Sequence, residues 1–452
     1  MIRPSLRLVV WFGLTVVPFS TVAGLVPAVA PLCGVGLAGF AVLALADALL
    51  ARRPLRGLTA ALPAVVRLTL DREGSVPVVL RRTAPARERR LRLGLVLPEA
   101  IESRTDGLDV RLPAGAAACR VAWSCTARRR GRLQAAGVWV ESASPLGLWG
   151  ATATLPAASE VRCYPNLLPE RRHLAGLFLS RDAFGSHPRR QVGQGREFEK
   201  LRDYLPGDSF EDIHWRATAK RGRPITREYQ IEKTQEVYVI VDASRLSGRA
   251  LQEPALAEAA ADSAGQRILE LYIRAALVLA LVARRQGDLF GLATFTNRTQ
   301  AFLRARGGQG HFDACRDALY TLEAAAVSPD FDDLCAFLRT RLRRRALLLF
   351  LTSLDDPQLA ESFARNMAVL GRQHVVVAAM VQPPGAQPVF SAPVADDAGI
   401  VDALAGHLIW EDLRGLALTL RRRGVLFHAL GRESLCADVV SQYLSIKQRQ
   451  IL

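Results

Sequence analysis

The first stretch whose residue types suggest chemistry runs from Arg196 to Gly222 and reads REFEKLRDYLPGDSFEDIHWRATAKRG. It combines acids, bases, a histidine and a tryptophan in one short window. Acid–base catalysis by His214 with Asp203 or Asp208 is one interpretation, because a proton-transfer pair needs these groups close together. The stretch contains no metal or cofactor motif, so we favour the alternative of a structural element whose charges form an ion-pair network for docking.

The same stretch contains strong signals for a turn and a helix. Pro206–Gly207 suits a type II turn, because proline fixes φ and glycine accepts a positive φ. Ser209 with Asp212 three residues later is typical of a capping box. The pattern predicts a helix from about Phe210 to Lys220 that ends at Gly222.

The second candidate lies where a continuous β-branched run, EVYVIVDAS, ends in Asp242 and Ser244. A later run, ALLLFLTSLDD, ends in Thr352 to Asp356. If both runs are parallel strands, their carboxyl ends meet at the sheet edge where ligands bind in such folds. No phosphate-binding glycine motif follows either run, so the usual nucleotide site is absent from the sequence.

The last two hundred residues, roughly, alternate between strand and helix patterns. Strands are predicted at EVYVIVDAS, DLFGLATF, ALLLFLTSLDD, HVVVAAMVQP and VLFHAL, and helical patterns separate them. This alternation predicts a mostly parallel, Rossmann-like sheet with helices on both faces. The Gly-rich stretch Gly307 to Gly310 lacks a following lysine and is interpreted as a loop.

The segment before the α/β region has the pattern of short strands between turns, which predicts a β-sandwich or barrel. The first fifty residues, roughly, contain two apolar runs, at about 6–26 and 32–51, each long enough to span a bilayer. Arginines flank both outer ends, which places both ends in the cytoplasm. The alternative, a signal peptide cleaved after Ala30, would leave the second run in place.

The charge and the amino-acid composition restrict the classes of binding partner. The formal net charge is +16, which favours anionic surfaces. No basic run is interleaved with aromatic residues, so the sequence gives little support to nucleic-acid binding, and an anionic lipid leaflet explains the charge equally well. The 7 cysteines form no Cys-x-x-Cys pair. They are read as small buried residues of a reducing compartment.

The hairpin, the β-rich segment and the charged stretch before an Asp-x-Ser strand together resemble the bacterial membrane proteins of the domain of unknown function 58 family. The motif positions that carry the resemblance are Glu197-Phe198, Leu201-Arg202, Tyr204, Pro206-Gly207-Asp208, Ile213, Trp215, Ala219 and Arg221. Our candidates for an interaction signature are Arg196, Glu197, Arg202, Tyr204, Gly207, Asp208, His214, Trp215 and Arg221. The resemblance implies a von Willebrand factor A-like domain after the signature and a MoxR-type AAA+ ATPase as partner.

Such domains commonly hold a divalent metal through Asp-x-Ser-x-Ser, a loop Thr and a later Asp. Here Asp242 and Ser244 match, Leu246 replaces the last serine, and Asp355 or Asp356 could supply the acid. Hard oxygen ligands suit Mg²⁺. We therefore predict a degenerate cation site of Asp242, Ser244 and Asp355. No cofactor is required, and the alternative is a metal-free loop that Asp242 caps.

We predict four segments: a transmembrane hairpin over 1–53, an Ig-like β-sandwich over 54–170, the signature segment over 171–232, and the von Willebrand factor A-like domain over 233–452. The expected function is a non-enzymatic adaptor of the bacterial inner membrane, multi-pass, with its soluble domains in the cytoplasm. It would present its α/β domain to the ATPase and to an unknown client, in protein maturation or assembly. The alternative is a membrane-bound hydrolase that uses acids of the signature and the strand-end loops.

Overall fold

The computed structural model of the chain forms two compact units, Met1–Asn166 and Leu167–Leu452, each described below by itself. The structure describes residues 1–83, 88–170, 192–205, 209–230, 235–250, 267–389, 391 and 397–449. Multiple sheets and two apolar N-terminal helices confirm the predicted multidomain layout.

The first unit begins with a helical hairpin. Helices α1 (Leu6–Leu25) and α2 (Ala30–Leu50) are joined by one short 3-10 turn, and both are long and apolar enough to cross a membrane. Ser5 caps α1 by accepting a hydrogen bond from the Leu8 N–H. Gly36 of α2 faces the ring of Phe19 so closely that a Cβ there would clash. A small residue at the crossing therefore lets the two helices pack.

The rest of the first unit is built from ten strands in two sheets. They are β1 (Ile2–Pro4), β2 (Leu58–Ala61), β3 (Val65–Thr69), β4 (Glu73–Arg82), β5 (Arg89–Val96), β6 (Ile101–Ser103), β7 (Leu108–Leu112), β8 (Ala118–Ala127), β9 (Gly131–Ala143) and β10 (Trp149–Tyr164). One sheet has the order β1-β10-β9-β5-β7 with β3 beside β10, and the other has β2-β4-β8-β6. The pairs are antiparallel except β3 with β10, which is parallel.

Both sheets of this unit share one hydrophobic core. Val78 and Leu80 of β4 face Leu93 of β5 and Val138 and Val140 of β9 across it, while their sequence neighbours point outward. This alternation is what a sandwich of half-buried strands requires.

The hairpin is fixed to the sandwich by a buried carboxylate. Asp47 near the end of α2 is 1% exposed and accepts hydrogen bonds from the Ser144 hydroxyl at 2.5 Å and from the N–H groups of Leu146 and Leu148 at 3.0 and 3.2 Å. Trp149 donates its indole N–H to the carbonyl of Ala44 at 2.8 Å. We name the connection between β9 and β10, residues 144–148, the clasp loop.

The second unit contains the signature segment, which forms a hairpin of β11 (Val192–Asp203) and β12 (Ile225–Gln230) with helix α3 (Trp215–Arg221) between them. The helix that we predicted from Phe210 is therefore wrong in its start. Phe210–Asp212 is a 3-10 turn that Ser209 caps, and the chain then extends through the buried Ile213. Ile213 bridges to Thr226 of β12, so burial and pairing outweigh helix continuation.

The remainder of the second unit is a six-stranded sheet with helices on both faces. Its strands are β13 (Glu236–Asp242), β14 (Leu289–Phe295), β15 (Thr299–Arg306), β16 (Leu347–Leu351), β17 (Val375–Val381) and β18 (Val425–Leu430). Its helices are α4 (Ile268–Arg285), α5 (Gln309–Leu319), α6 (Phe331–Arg341), α7 (Pro357–Leu370), α8 (Asp397–Arg422) and α9 (Leu435–Gln448). The strand order is β15-β14-β13-β16-β17-β18, and every pair is parallel except β14 with β15.

Alternation along the strands divides the core of this unit into two layers. Val237, Val239 and Val241 point to the layer that holds α4, α5 and α9. Tyr238 and Ile240 point to the layer that holds α6, α7 and α8. Both faces of the sheet are thus covered, as parallel sheets require.

Candidate functional site

The candidate site lies where the strand order of the second unit reverses. From the central strand β13 the chain adds β14 and β15 on one side, and then β16, β17 and β18 on the other. The carboxyl ends of β13 and β16 therefore border a topological switch point, the usual ligand position in such sheets. Asp242 ends β13, and Thr352 directly follows β16.

Hydrogen bonds hold these two strand ends together. The Thr352 hydroxyl donates to Oδ2 of Asp242 at 2.7 Å, and the Ser244 N–H donates to Oδ1 at 2.8 Å. The Ser247 hydroxyl donates to the Asp242 carbonyl at 2.6 Å. All four side chains are buried, and both oxygens of the Asp242 carboxylate have partners. The carboxylate thus joins two neighbouring strands and caps the loop that follows the first.

Burial sets the electrostatics of this site. Removal from water raises the pKa of Asp242, and the hydrogen bonds from Thr352 and Ser244 oppose that rise. No cationic side chain contributes to the shift. Burial therefore disfavours the charged form of this carboxyl group, and the two hydrogen bonds partly offset that penalty.

Asp355, the predicted third ligand, is bonded to other partners than Asp242 and Ser244. Asp355 forms an ion pair with Arg249, while its Oδ1 is buried and has no hydrogen-bond partner among the described residues. Asp356 caps α7 by accepting from the N–H groups of Gln358 and Leu359. The acids after β16 thus have structural partners, and no observation on the described residues favours their use in hydrolysis.

Sequence reasoning missed one member of the site. Tyr272 of α4 is buried, and its hydroxyl lies 3.3 Å from the Ser353 hydroxyl and 3.4 Å from the Val381 N–H. Burial raises the pKa of Tyr272. A tyrosine between Leu271 and Ile273 of a mainly apolar helix was the available signal, because a buried phenol needs a partner.

The ligand chemistry available here is that of hard oxygens. The Asp242 carboxylate and the hydroxyls of Ser244 and Thr352 suit Mg²⁺ better than a soft metal. Leu246, at the second serine position of Asp-x-Ser-x-Ser, is buried and apolar. Within the described ranges, no three His, Cys, Asp or Glu side chains form a metal-ligating group. The Mg²⁺ site stays a prediction.

The signature residues serve the turn and helix more than a reaction centre. His214 caps α3, its Nδ1 accepting the Ala217 N–H at 3.1 Å, and Gly222 ends the helix at φ 66°. Tyr204 lies 6.0 Å from Phe210 between ring centroids. Trp215 and Arg221 are exposed, and Arg202 is half-buried at the end of β11 with its guanidinium 3.1 Å from the Asp203 carbonyl. The described part of the signature is thus a capped turn and a helix with Trp215 and Arg221 at the surface.

Four signature residues have no side-chain description. Arg196 and Glu197 belong to β11 through their backbone, while Gly207 and Asp208 lie outside the described residues. The ion pair between Arg223 and Asp203, at 3.1 Å, stays within the segment. The predicted docking network to the α/β domain therefore stays a prediction.

The fold and the site define a chain with two apolar N-terminal helices, a β-sandwich and a three-layer α/β unit whose switch point carries Asp-x-Ser. Residues 200–391 match the model of the family described as protein of unknown function DUF58. This confirms the family resemblance. None of the curated proteins matches the chain.

Several solved structures show a distant likeness. Proximal thread matrix protein 1 from the mussel byssus has 12% identity and a TM-score of 0.27, over 46% of each chain. An aerotolerance-related membrane protein from Bacteroides fragilis has 11% identity and a TM-score of 0.29, over 47% of this chain and 97% of that one. The SpRpn10 VWA domain has 8% identity and a TM-score of 0.27, over 46% and 95%. This chain thus spans about half the length of the mussel protein.

Proposed function

We propose that the protein is a membrane-anchored adaptor without catalytic activity of its own, which recruits a MoxR-type AAA+ ATPase and client proteins. The observation that carries the proposal is the exposed apolar surface of the signature. Phe210 is 73% exposed and Trp215 68%, and Leu205 beside them is 58% exposed. Large aromatic side chains left in water at one place are typical of protein-binding surfaces.

Charge around this surface supports a protein partner with an acidic rim. Arg216, Lys220, Arg221 and Arg227 of the same segment are exposed. Interfaces commonly combine an apolar centre with a charged rim that selects the partner. We name the set Leu205, Phe210 and Trp215 the aromatic surface.

Membrane anchoring is the second part of the proposal. Apolar side chains of α1 and α2 are exposed, as in a hairpin surrounded by lipid. The strand before α1 and the clasp loop that binds α2 belong to one sandwich, which supports an even number of crossings. Arginines at positions 3, 7, 52, 53 and 56 then favour a cytoplasmic sandwich in a bacterial inner membrane.

The experiment is affinity capture with the full chain purified from bacterial membranes in detergent. We expect an AAA+ ATPase to co-purify with the wild type. The double variant Phe210→Ala/Trp215→Ala should bind it at least roughly a hundredfold more weakly, because each central aromatic residue of an interface contributes a large share of the binding energy.

Leu418→Ala is the matched control, because Leu418 is an exposed apolar residue of α8, away from the signature helix in the sequence. It should leave capture unchanged. Capture without any AAA+ ATPase, or equal recovery with the double variant, would contradict the proposal.

A further inference from the structure

A cleft of about 500 Å³ opens on the outer face of the first unit's larger sheet. Its polar lining comes mainly from Ser5, Arg90, Arg92, Asp109, Arg111 and Glu141. The cleft lies wholly within the first unit. Asp242 and the aromatic surface belong to the second unit.

Some arginines of this cleft lie opposite carboxylates on the neighbouring strands, and others lie opposite each other. Arg92 lies opposite Glu141 on one neighbouring strand and opposite Asp109 on the other. Arg90 lies directly opposite Arg111. Like charges at opposed positions of an antiparallel pair destabilise the sheet. Among the described residues, no carboxylate forms an ion pair with Arg90 or Arg111, so these two guanidinium groups lack an anion.

The position of the cleft relative to a bilayer follows from two of the residues that line it. Ser5 lines it and also caps α1, whose first residue starts the apolar span. Because a helix rises 1.5 Å per residue, Ser5 lies at the boundary between hydrocarbon and headgroups when α1 spans a bilayer. Trp149 also lines the cleft while its indole N–H bonds to α2, and such amphipathic rings favour that same boundary.

We propose that this cleft binds the headgroup of an anionic phospholipid, with the phosphate between Arg90 and Arg111. Guanidinium groups bind phosphate oxygens in a bidentate manner, and a phosphate would remove the repulsion between these two. Asp109 and Glu141 would accept hydrogen bonds from headgroup hydroxyls, which favours a glycerol headgroup. The inference rests on the membrane hairpin of the proposed function.

The test uses the full chain in detergent micelles, titrated with short-chain phosphatidylglycerol or phosphatidylcholine and followed by thermal unfolding. Phosphatidylglycerol should raise the melting temperature of the wild type, and phosphatidylcholine should not. In Arg90→Gln/Arg111→Gln the affinity for phosphatidylglycerol should fall roughly 30-fold, from the contribution of two basic residues near an anionic headgroup.

A second measurement separates binding from folding. Without lipid, Arg90→Gln/Arg111→Gln should melt at the same temperature as the wild type or higher, because the substitution removes the repulsion. The control Arg81→Gln/Arg120→Gln changes two exposed arginines of the other sheet and should keep the lipid preference. An unchanged preference in the cleft variant would overturn the inference. Equal stabilisation by inorganic phosphate would overturn the lipid as the ligand.

A separate experiment tests whether the chain is anchored in the membrane. Alkaline carbonate extraction of native membranes should leave the chain in the pellet. Release into the supernatant would refute the membrane part of the proposed function, and with it the depth argument for the cleft. A chain that stays in the pellet but shows no phosphatidylglycerol preference would refute the lipid inference alone.

Discussion

At the scale of single residues, Asp242 determines the polar structure of the switch point. Its carboxylate is the acceptor for one backbone and one side-chain donor, both buried. Asp242→Ala would leave the Ser244 N–H and the Thr352 hydroxyl without a partner. We expect a loss of about 2–5 kcal/mol in the free energy of unfolding, because each unsatisfied buried donor costs about 1–3 kcal/mol. Thermal and urea unfolding of the full chain in detergent would measure it.

Asp242→Asn keeps the shape and one acceptor, so its loss should be smaller, and the exposed Asp317→Asn should be neutral. The alternative of a metal-free loop, in which both Asp242 oxygens have donors and Asp355 is paired with Arg249, predicts a melting temperature that millimolar Mg²⁺ leaves unchanged. A Mg²⁺-dependent rise that Asp242→Asn abolishes would establish the cation site instead.

The cysteines offer a second residue-scale prediction. Burial raises the pKa of both Cys163 and Cys315 to about 12. Since the thiolate is the reactive form, both should resist alkylation at about pH 8 while the chain is folded. Cys119, which is half-buried, should react faster and serves as the internal control. Peptide mass spectrometry before and after denaturation would measure this, and rapid labelling of Cys315 in the folded chain would contradict it.

At the scale of elements, the contact between α2 and the clasp loop attaches the helical hairpin to the sandwich. Asp47→Ala would remove the acceptor of three hydrogen bonds in a buried position. We expect the free energy of unfolding of the first unit to fall by about 3 kcal/mol or more. Hydrogen exchange of the Leu146 and Leu148 amides should accelerate in the same variant.

The exposed Asp106→Ala is the matched control for this prediction, because Asp106 lies in the same unit and faces water. It should leave both stability and exchange unchanged. Slow exchange of the clasp loop in Asp47→Ala would mean that the loop is held by other contacts.

Helices and strands could be predicted from the sequence where the hydrophobic periodicity agrees with the burial of the element. The buried strand β13 and the largely buried helix α4 follow their sequence patterns closely, because parallel sheets bury both faces of a strand. Helix α3 begins later than its capping signal indicates, since Ile213 is drawn into pairing beside β12. Local capping energies of about 1 kcal/mol are smaller than the gain from burying such a side chain.

The edge strand β15 and the N-terminal strand β1 were not predicted. β15 has the sequence TQAFLRAR and is mostly half-buried, so its apolar pattern is weak. β1 has three residues and acquires its conformation only by pairing with Trp149 and its neighbours. In the candidate site, the strand ends were predictable, but the bond between Thr352 and Asp242 depends on strand order, which the sequence does not encode locally.

At the scale of the whole molecule, the two units have separate hydrophobic cores. One core draws its residues from Leu58 to Cys163, and the two layers of the other lie beyond Asn166. We therefore expect two unfolding transitions in calorimetry of the full chain in detergent, since cooperativity extends only through shared packing. The excised fragment 167–452 should reproduce one of them.

Matching midpoints for the fragment and the full chain would support independence of the units. A single transition in the full chain, combined with an unfolded fragment, would show that the second unit depends on the first.

The pairing of β1 with β10 also has a consequence for biosynthesis. Ile2, Arg3 and Pro4 precede both apolar helices in the sequence, whereas their partners Ala151, Gly150 and Trp149 follow them. During translation both apolar helices leave the ribosome before these partners exist. Strand β1 can therefore pair only after β10 has been synthesised, so this edge of the larger sheet is completed late.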